Sequence, residues 1–219
     1  MNGPLFTLLN GISSGNVGQV ISSLILIGVI LLICFPLHEL GHAVVATYLG
    51  DDTPRLMGRL TLNPFAHLSL LGSALFVLFG FGWATTPVNY SRMRGSYGNN
   101  RALVSVAGPL VNLSLAVLSA GVFRLVDSSL SDGTSLMSEV VYLFLVQMVR
   151  INLLLMVFNL LPLPGLDGWG IIRGLIPEQI AQTVERFQQI AWIIIIATPI
   201  AGTLISGPVN QLFRVLTGL

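Results

Sequence analysis

From Val20 to Leu49 the chain carries one carboxylate, Glu39, and two histidines, His38 and His42, in a run otherwise dominated by Ile, Leu, Val and Ala. A bilayer-crossing helix needs about 20 predominantly apolar residues, so this run reads as a membrane span with ionisable groups inside it. Such groups are costly in lipid and mark function by default. Residues four apart on a helix share a face, about 5–6 Å apart at Cβ. His38 and His42 could therefore grip one metal ion, with Glu39 placed to take a proton from a water held beside them. The plain alternative is a polar cluster bonded to neighbouring helices. Pro36 cannot donate to the carbonyl of Leu32 and predicts a kink just before the motif. The kink reads either as room beside the site or as an ordinary packing feature.

Of 219 residues, 53% are hydrophobic and 9% charged, with a mean hydropathy of +0.84, whereas a soluble domain carries about 25% charged residues. This is the composition of an integral membrane protein. The polar stretches are too short for a second folded unit, so residues 1–219 read as one intramembrane domain. Its core covers about residues 20–175, and a C-terminal helix and tail cover 188–219. All basic residues are Arg and the net charge is +1, which gives a nucleic-acid partner no support. The single cysteine, Cys34, excludes an internal disulfide. It lies one turn before His38 and reads as a small buried hydrophobe rather than a ligand. Met1 to Val20 has no basic residue ahead of its apolar part and does not read as a secretory signal. The sequence sets no oligomeric state.

Five apolar stretches stand out, at about 20–49, 68–84, 102–126, 138–161 and 190–205. The second is short, contains Gly72 and Gly80-Phe81-Gly82, and is flanked by Pro64 and Pro87. Arginines fall in 50–67, 85–101 and 162–189, while 127–137 holds Asp127 and Asp132 and no Arg. The rule that basic loops face the cytoplasm puts the first three connections on one side only if 68–84 dips in and returns. Irregular backbone of that kind is tolerated at membrane depth when packed in protein or lining a wet cavity. The fold class predicted is thus an all-α polytopic membrane protein with about four full spans, a re-entrant or hairpin segment, and short β-strands near the active site. The tail after Pro208 reads as a short interfacial helix. No internal repeat is visible.

Catalytic zinc usually takes three protein ligands. Asp51 and Asp52 read as surface charges after a helix end, Asp127, Asp132 and Glu139 as far-side groups, and Glu178 and Glu185 as solvated residues of a connecting helix. Asp167 differs, because Pro162 and Pro164 break a spanning helix just before it. A carboxylate in a broken, apolar segment needs a partner, so Asp167 reads as a third ligand or as the N-cap of the next helix. Asn112 and Asn159, inside spanning stretches, could bind active-site groups or substrate backbone, or join helices. His67 reads as a structural hydrogen-bonding residue or as one beside a substrate gate. Trp83 and the arginines near it suit an interfacial anchor.

His38-Glu39-Leu40-Gly41-His42, Ala107-Gly108-Pro109-Leu110-Val111-Asn112 and Asn159-Leu160-Leu161-Pro162-Leu163-Pro164-Gly165-Leu166-Asp167-Gly168 occur in the order seen in site-2 protease-type intramembrane zinc metalloproteases, which the chain resembles over about residues 36–175. Leu62-Asn63-Pro64-Phe65-Ala66-His67 and Phe81-Gly82-Trp83-Ala84 look like the compact bacterial branch. The resemblance implies one zinc ion per chain on His38, His42 and Asp167, with Glu39 as catalytic base. It also implies a bacterial plasma-membrane location and transmembrane proteins as substrates. The chain departs from the family in lacking a PDZ or nucleotide-sensing domain, and in having the usual extra N-terminal span missing or reduced to the weak segment before Val20. A substrate helix would have to unwind before attack, and an exposed strand edge near 54–62 or 85–91 is expected to receive it by strand addition. A non-hydrolytic metal transporter would favour repeated halves, and an inactive scaffold would not need Glu39 beside two histidines.

Overall fold

The computed structural model describes residues 3–130, 135–190, 192 and 200–219. Its helices are α1 (Pro4–Ser13), α2 (Val17–Tyr48), α3 (Leu70–Phe79), α4 (Tyr97–Leu130), α5 (Leu136–Asn159), α6 (Asp167–Arg173), α7 (Glu178–Arg186) and α8 (Ile200–Thr217). Three are long and apolar enough to cross a membrane: Val17–Tyr48, Tyr97–Val126 and Leu136–Asn159, with mean hydropathies of 2.9, 1.8 and 2.1. The expected span at 190–205 lies largely outside the described residues, as does Asp132. The tail does not begin a new helix at Pro208, because α8 runs through that proline to Thr217.

Segment 68–84 does not form a long helix. Its ten-residue α3 covers about 15 Å at 1.5 Å per residue, half the roughly 30 Å apolar thickness of a bilayer. Ser69 caps its start by accepting the Gly72 N–H, and the two ends of the segment meet in an antiparallel bridge between Leu68 and Ala84.

The predicted β-strands are not found. Among the described residues that bridge is the sole β pairing. Residues Thr53–Leu56 wind into one helical turn, with Pro54 suited to its start. Residues 85–89 form no regular element, and Asn89 alone is seen in an extended conformation. The Asn89 N–H that a ladder would use donates instead to the carboxylate of Asp51, at 2.6 Å.

Pro36 leaves a specific mark. Ahead of it α2 widens into a π-turn at Ile30–Cys34, where the Phe35 N–H reaches the carbonyl of Ile30. A π-turn absorbs the missing donor and the ring's bulk without ending the helix. The helices then close on small residues, since lipid leaves van der Waals fit to hold them together. Ala43 and Ala46 of α2 are fully buried, and Ala116 and Ala120 of α4 meet Val149 and Leu153 of α5 and Val209 and Phe213 of α8.

Candidate metal centre

The π-turn leads directly into the stretch of α2 that carries His38, Glu39 and His42, all buried. Asp167 comes from the other side of the sequence. After Asn159 the chain leaves α5, turns through Pro162 and Pro164, and re-enters a helix at Asp167 itself. Leu166, not Asp167, is the N-cap residue, and it makes no side-chain cap bond. The N-cap reading of Asp167 therefore fails, and its carboxylate turns to the histidines instead. Gly168 makes the turn possible, because a Cβ there would strike the carbonyl oxygens of Leu160 and Leu161 at the end of α5.

The three side chains converge. Nε2 of His38 lies 3.2 Å from Oδ2 of Asp167, Nε2 of His42 lies 3.3 Å from Oδ1, and the two Nε2 atoms are 3.1 Å apart. The far nitrogens are both engaged: Nδ1 of His38 donates to Oδ1 of Asn112 at 2.6 Å, and Nδ1 of His42 donates to the carbonyl of Val104 at 2.7 Å. A neutral imidazole has one proton, and acceptors at Nδ1 place it there. Both Nε2 atoms then present lone pairs to each other and to a carboxylate, and the buried Oδ2 of Asp167 has no hydrogen-bond partner. Two imidazole nitrogens and a carboxylate with no proton among them suit a divalent cation, and the N,N,O set is one that zinc accepts with a further position left open. The metal-binding group among the described residues is this one, and Cys34 is not part of it. Its sulfur reaches Asn152, within a cluster that includes Val29, Phe76 and Met148.

Two neighbours shape this group. The Cα of Gly108 on α4 faces the imidazoles so closely that a Cβ would lie 2.5 Å from Nε2 of His42 and 2.6 Å from Nε2 of His38. Asn112, one turn further on, has no exposed surface; it accepts from His38 and donates through Nδ2 to Oδ1 of Asn152 at 2.9 Å. Asn152 donates in turn to the carbonyl of Met148 at 2.8 Å. The sequence reading missed Asn152, although it carries the same signal as Asn112, a lone amide in an apolar run.

A cavity of about 350 Å³ opens beside the group, lined by Glu39, Thr86, Tyr90, Phe158 and Asn159 among others. Thr86 Oγ1 donates to the backbone carbonyl of Glu39 at 3.0 Å, which ties the 85–89 segment to α2 along the cavity wall. Asn159 also donates to its own helix, at the Leu155 carbonyl. His67 lines no part of the cavity; it is buried and pairs with the Thr61 carbonyl at 2.8 Å, the structural reading.

Three acids differ from expectation. Asp51 is fully buried, not a surface charge: it accepts from the Thr53 N–H at 3.0 Å, the Thr53 hydroxyl at 2.5 Å and the Asn89 N–H. Glu178 and Glu185 are not merely solvated. They clamp the buried guanidinium of Arg173 at 2.8 and 2.9 Å, and Glu185 also accepts from Trp169 Nε1 at 3.0 Å. The Glu178 carboxylate beside it raises the Arg173 pKa further above its ordinary value. This clamp fixes the end of α6 opposite Asp167.

The chain is 38% identical over 179 residues to a Bacillus subtilis protein named "Putative zinc metalloprotease YwhC", a match that covers 78% of this chain and 79% of that protein. It is 32% identical over 177 residues to "Putative zinc metalloprotease Rip2" of Mycobacterium tuberculosis, covering 79% of this chain and 66% of the relative. The likeness to Rip2 of Mycolicibacterium smegmatis is 32% over 180 residues, covering 79% and 65%. No protein-family model matches the chain, and no solved structure matches it.

Proposed function

Because this chain belongs to the zinc metalloprotease family of YwhC and Rip2, we propose that it is a site-2 protease-type intramembrane endopeptidase, cutting peptide bonds in or near transmembrane segments of other membrane proteins. The observation that carries this reading is the convergence of His38, His42 and Asp167 inside a span, with Glu39 beside them in one cavity. Zinc bound there would supply Lewis acidity, polarising a carbonyl and acidifying water.

The chain's own residues do the rest. The Glu39 carboxylate takes a proton from the attacking water and passes it to the leaving amine. Asn112 and Val104 hold the imidazoles so that Nε2, not Nδ1, faces inward. A carboxylate is a poor base in bulk water, and a cavity that brought it and the attacking water together at short range would be worth several orders of magnitude in rate. Asn159 and Tyr90 line the wall where a scissile segment would lie, with side-chain donors for its carbonyls.

We read α3 and its returning arm as a re-entrant hairpin, which puts the arginine-bearing connections and the metal-binding group on the cytoplasmic side of a bacterial plasma membrane. The segment 85–89, which lines the cavity, is the receiving edge for an unwound substrate in preference to 54–62, whose start winds into a helical turn. The reading is tested by incubating the detergent-purified chain with a transmembrane-segment substrate, with and without a chelator. Cleavage abolished by the chelator and restored by zinc is expected. Cleavage indifferent to the chelator would remove the proposal.

A further inference from the structure

Arg173 ends α6, the helix that Asp167 begins. Its side chain is buried, and each guanidinium nitrogen is engaged. Nη1 and Nη2 donate to the two carboxylate oxygens of Glu178 at 2.9 and 2.8 Å, and Nε donates to Oε1 of Glu185 at 2.9 Å. Trp169, one turn earlier on α6 and also buried, donates from Nε1 to the same Glu185 oxygen at 3.0 Å. Both acids belong to α7. One face of α6 is therefore gripped at two levels by a separate helix.

The opposite face of α6 is seated on α4. At about 100° per residue, Trp169 and Arg173 lie about 200° and 240° round the helix from Asp167, whereas Gly170 and Gly174 lie within about 60° of it. A Cβ on Gly170 would strike the Ser105 hydroxyl, and one on Gly174 would strike the Cα of Gly98. The same α4 orients the imidazoles, through the Val104 carbonyl on His42 and Asn112 on His38. How closely α6 seats on α4 therefore sets the separation of carboxylate and imidazoles. The helix cannot fix that seat by itself. Its seven residues fall short of the roughly 12–15 at which a helix becomes marginally stable alone, and Leu166 supplies no side-chain cap. A planar guanidinium forked onto a carboxylate is both strong and geometrically specific. That clamp presses from the side facing away from α4.

We propose that Arg173 is the positioning residue for Asp167: held by Glu178 and Glu185 of α7, it keeps α6 on α4 and the carboxylate 3.2 and 3.3 Å from the two imidazoles. The inference rests on the metal-centre reading and not on peptide hydrolysis. It is tested on the full detergent-purified chain by zinc affinity against a competing chelator, with helix content checked by circular dichroism. Arg173→Gln should weaken zinc binding by about 10–100-fold, as loss of an outer partner does. Arg173→Lys keeps the charge without the fork and should recover part of that loss. Glu185→Ala, which leaves the Glu178 fork in place, should give a smaller loss. Arg186→Gln, an exposed change on the same α7, should give none. The effect of Arg173→Gln should vanish in an Asp167→Ala background, because the arginine acts only through that carboxylate. Unaltered affinity in folded Arg173→Gln, or in folded Glu185→Ala should the former not fold, overturns the inference. An undiminished further loss in the Asp167→Ala background overturns it in favour of general stability. Wild type that takes up no zinc overturns the metal centre itself, and this inference with it, before any variant is compared.

Discussion

Asn112 holds His38 by one hydrogen bond, 2.6 Å from its side-chain oxygen to Nδ1, and this contact decides which imidazole nitrogen faces Asp167. Replacing Asn112 with Leu removes the acceptor and frees the ring to take the other tautomer or to rotate. Loss of such an outer partner typically costs 10–100-fold in metal affinity. Zinc retained by the purified variant during titration with a competing chelator should fall by about that factor, with spanning-helix content unchanged. Unaltered affinity would mean that His38 is oriented by packing alone.

Asn152 should act in the same direction and more weakly, since it reaches His38 only through Asn112. Hydrogen bonds between membrane helices average about 0.6 kcal/mol and reach about 1.7. Asn152→Ala should therefore weaken zinc binding by about threefold, and by no more than about twentyfold. Its effect should vanish in the Asn112→Leu background, which a double-mutant cycle measures directly.

Glu39→Gln separates chemistry from binding. The amide keeps the shape of the side chain but cannot take a proton, so cleavage should fall by about 10²–10⁴-fold. Zinc content should stay near wild type, because Glu39 is not in the His38, His42 and Asp167 group. Turnover at wild-type rate would remove Glu39 as the base, and loss of the metal would make it a ligand.

The Gly108→Ala variant tests how closely α4 is fitted to the metal centre. Its methyl carbon would sit 2.5 Å from Cε1 of His38 and from Nε2 of His42, well inside contact distance. Overpacking of that kind typically costs about 1–3 kcal/mol, and here the movable atoms are the imidazoles. Zinc binding should drop sharply while the protein remains helical, which metal analysis beside circular dichroism would show.

How much of this was readable in the sequence follows from the range of each interaction. The pairing of His38 with His42 is local and periodic, so spacing alone revealed it. Asp167 was legible as a carboxylate stranded after two prolines, although its helix start also allowed a cap. Asp51 was misread because an acid just past a helix end is usually solvated. One of the donors it binds in burial is the amide of Asn89, 38 residues away, and nothing in the local pattern announces that. The strand expected at 85–91 failed for a related reason, since Asp51 took an amide that a ladder would have used, while the one expected at 54–62 winds at its start into a helical turn. Pro208 misled in another way, since a proline can persist inside a helix when neighbours make up for its missing donor.

Asp51 provides a pH-dependent test of that same link. Burial pushes its carboxyl up, but the bond from the Thr53 hydroxyl, those from the Asn89 and Thr53 amides, and the charge of Arg92 outweigh this and leave its pKa below the ordinary 3.8. A carboxyl with a lowered folded pKa contributes stability that is complete above its unfolded pKa and is lost as pH falls through the folded one. The tie between the end of α2 and the 85–89 segment should therefore be intact at neutral pH and down to about 4, and weaken only below that. Hydrogen exchange at the Asn89 amide, corrected for the intrinsic rate, reads it directly. Asp51→Asn places an NH₂ donor against a backbone N–H and should cost about 1.5–3 kcal/mol, a fall in protection of roughly ten- to a hundredfold at pH 7. The variant should also be indifferent to acid in the range where wild type loosens. Equal protection in the two proteins at neutral pH would show that the cavity wall is held by Thr86 and packing, without Asp51.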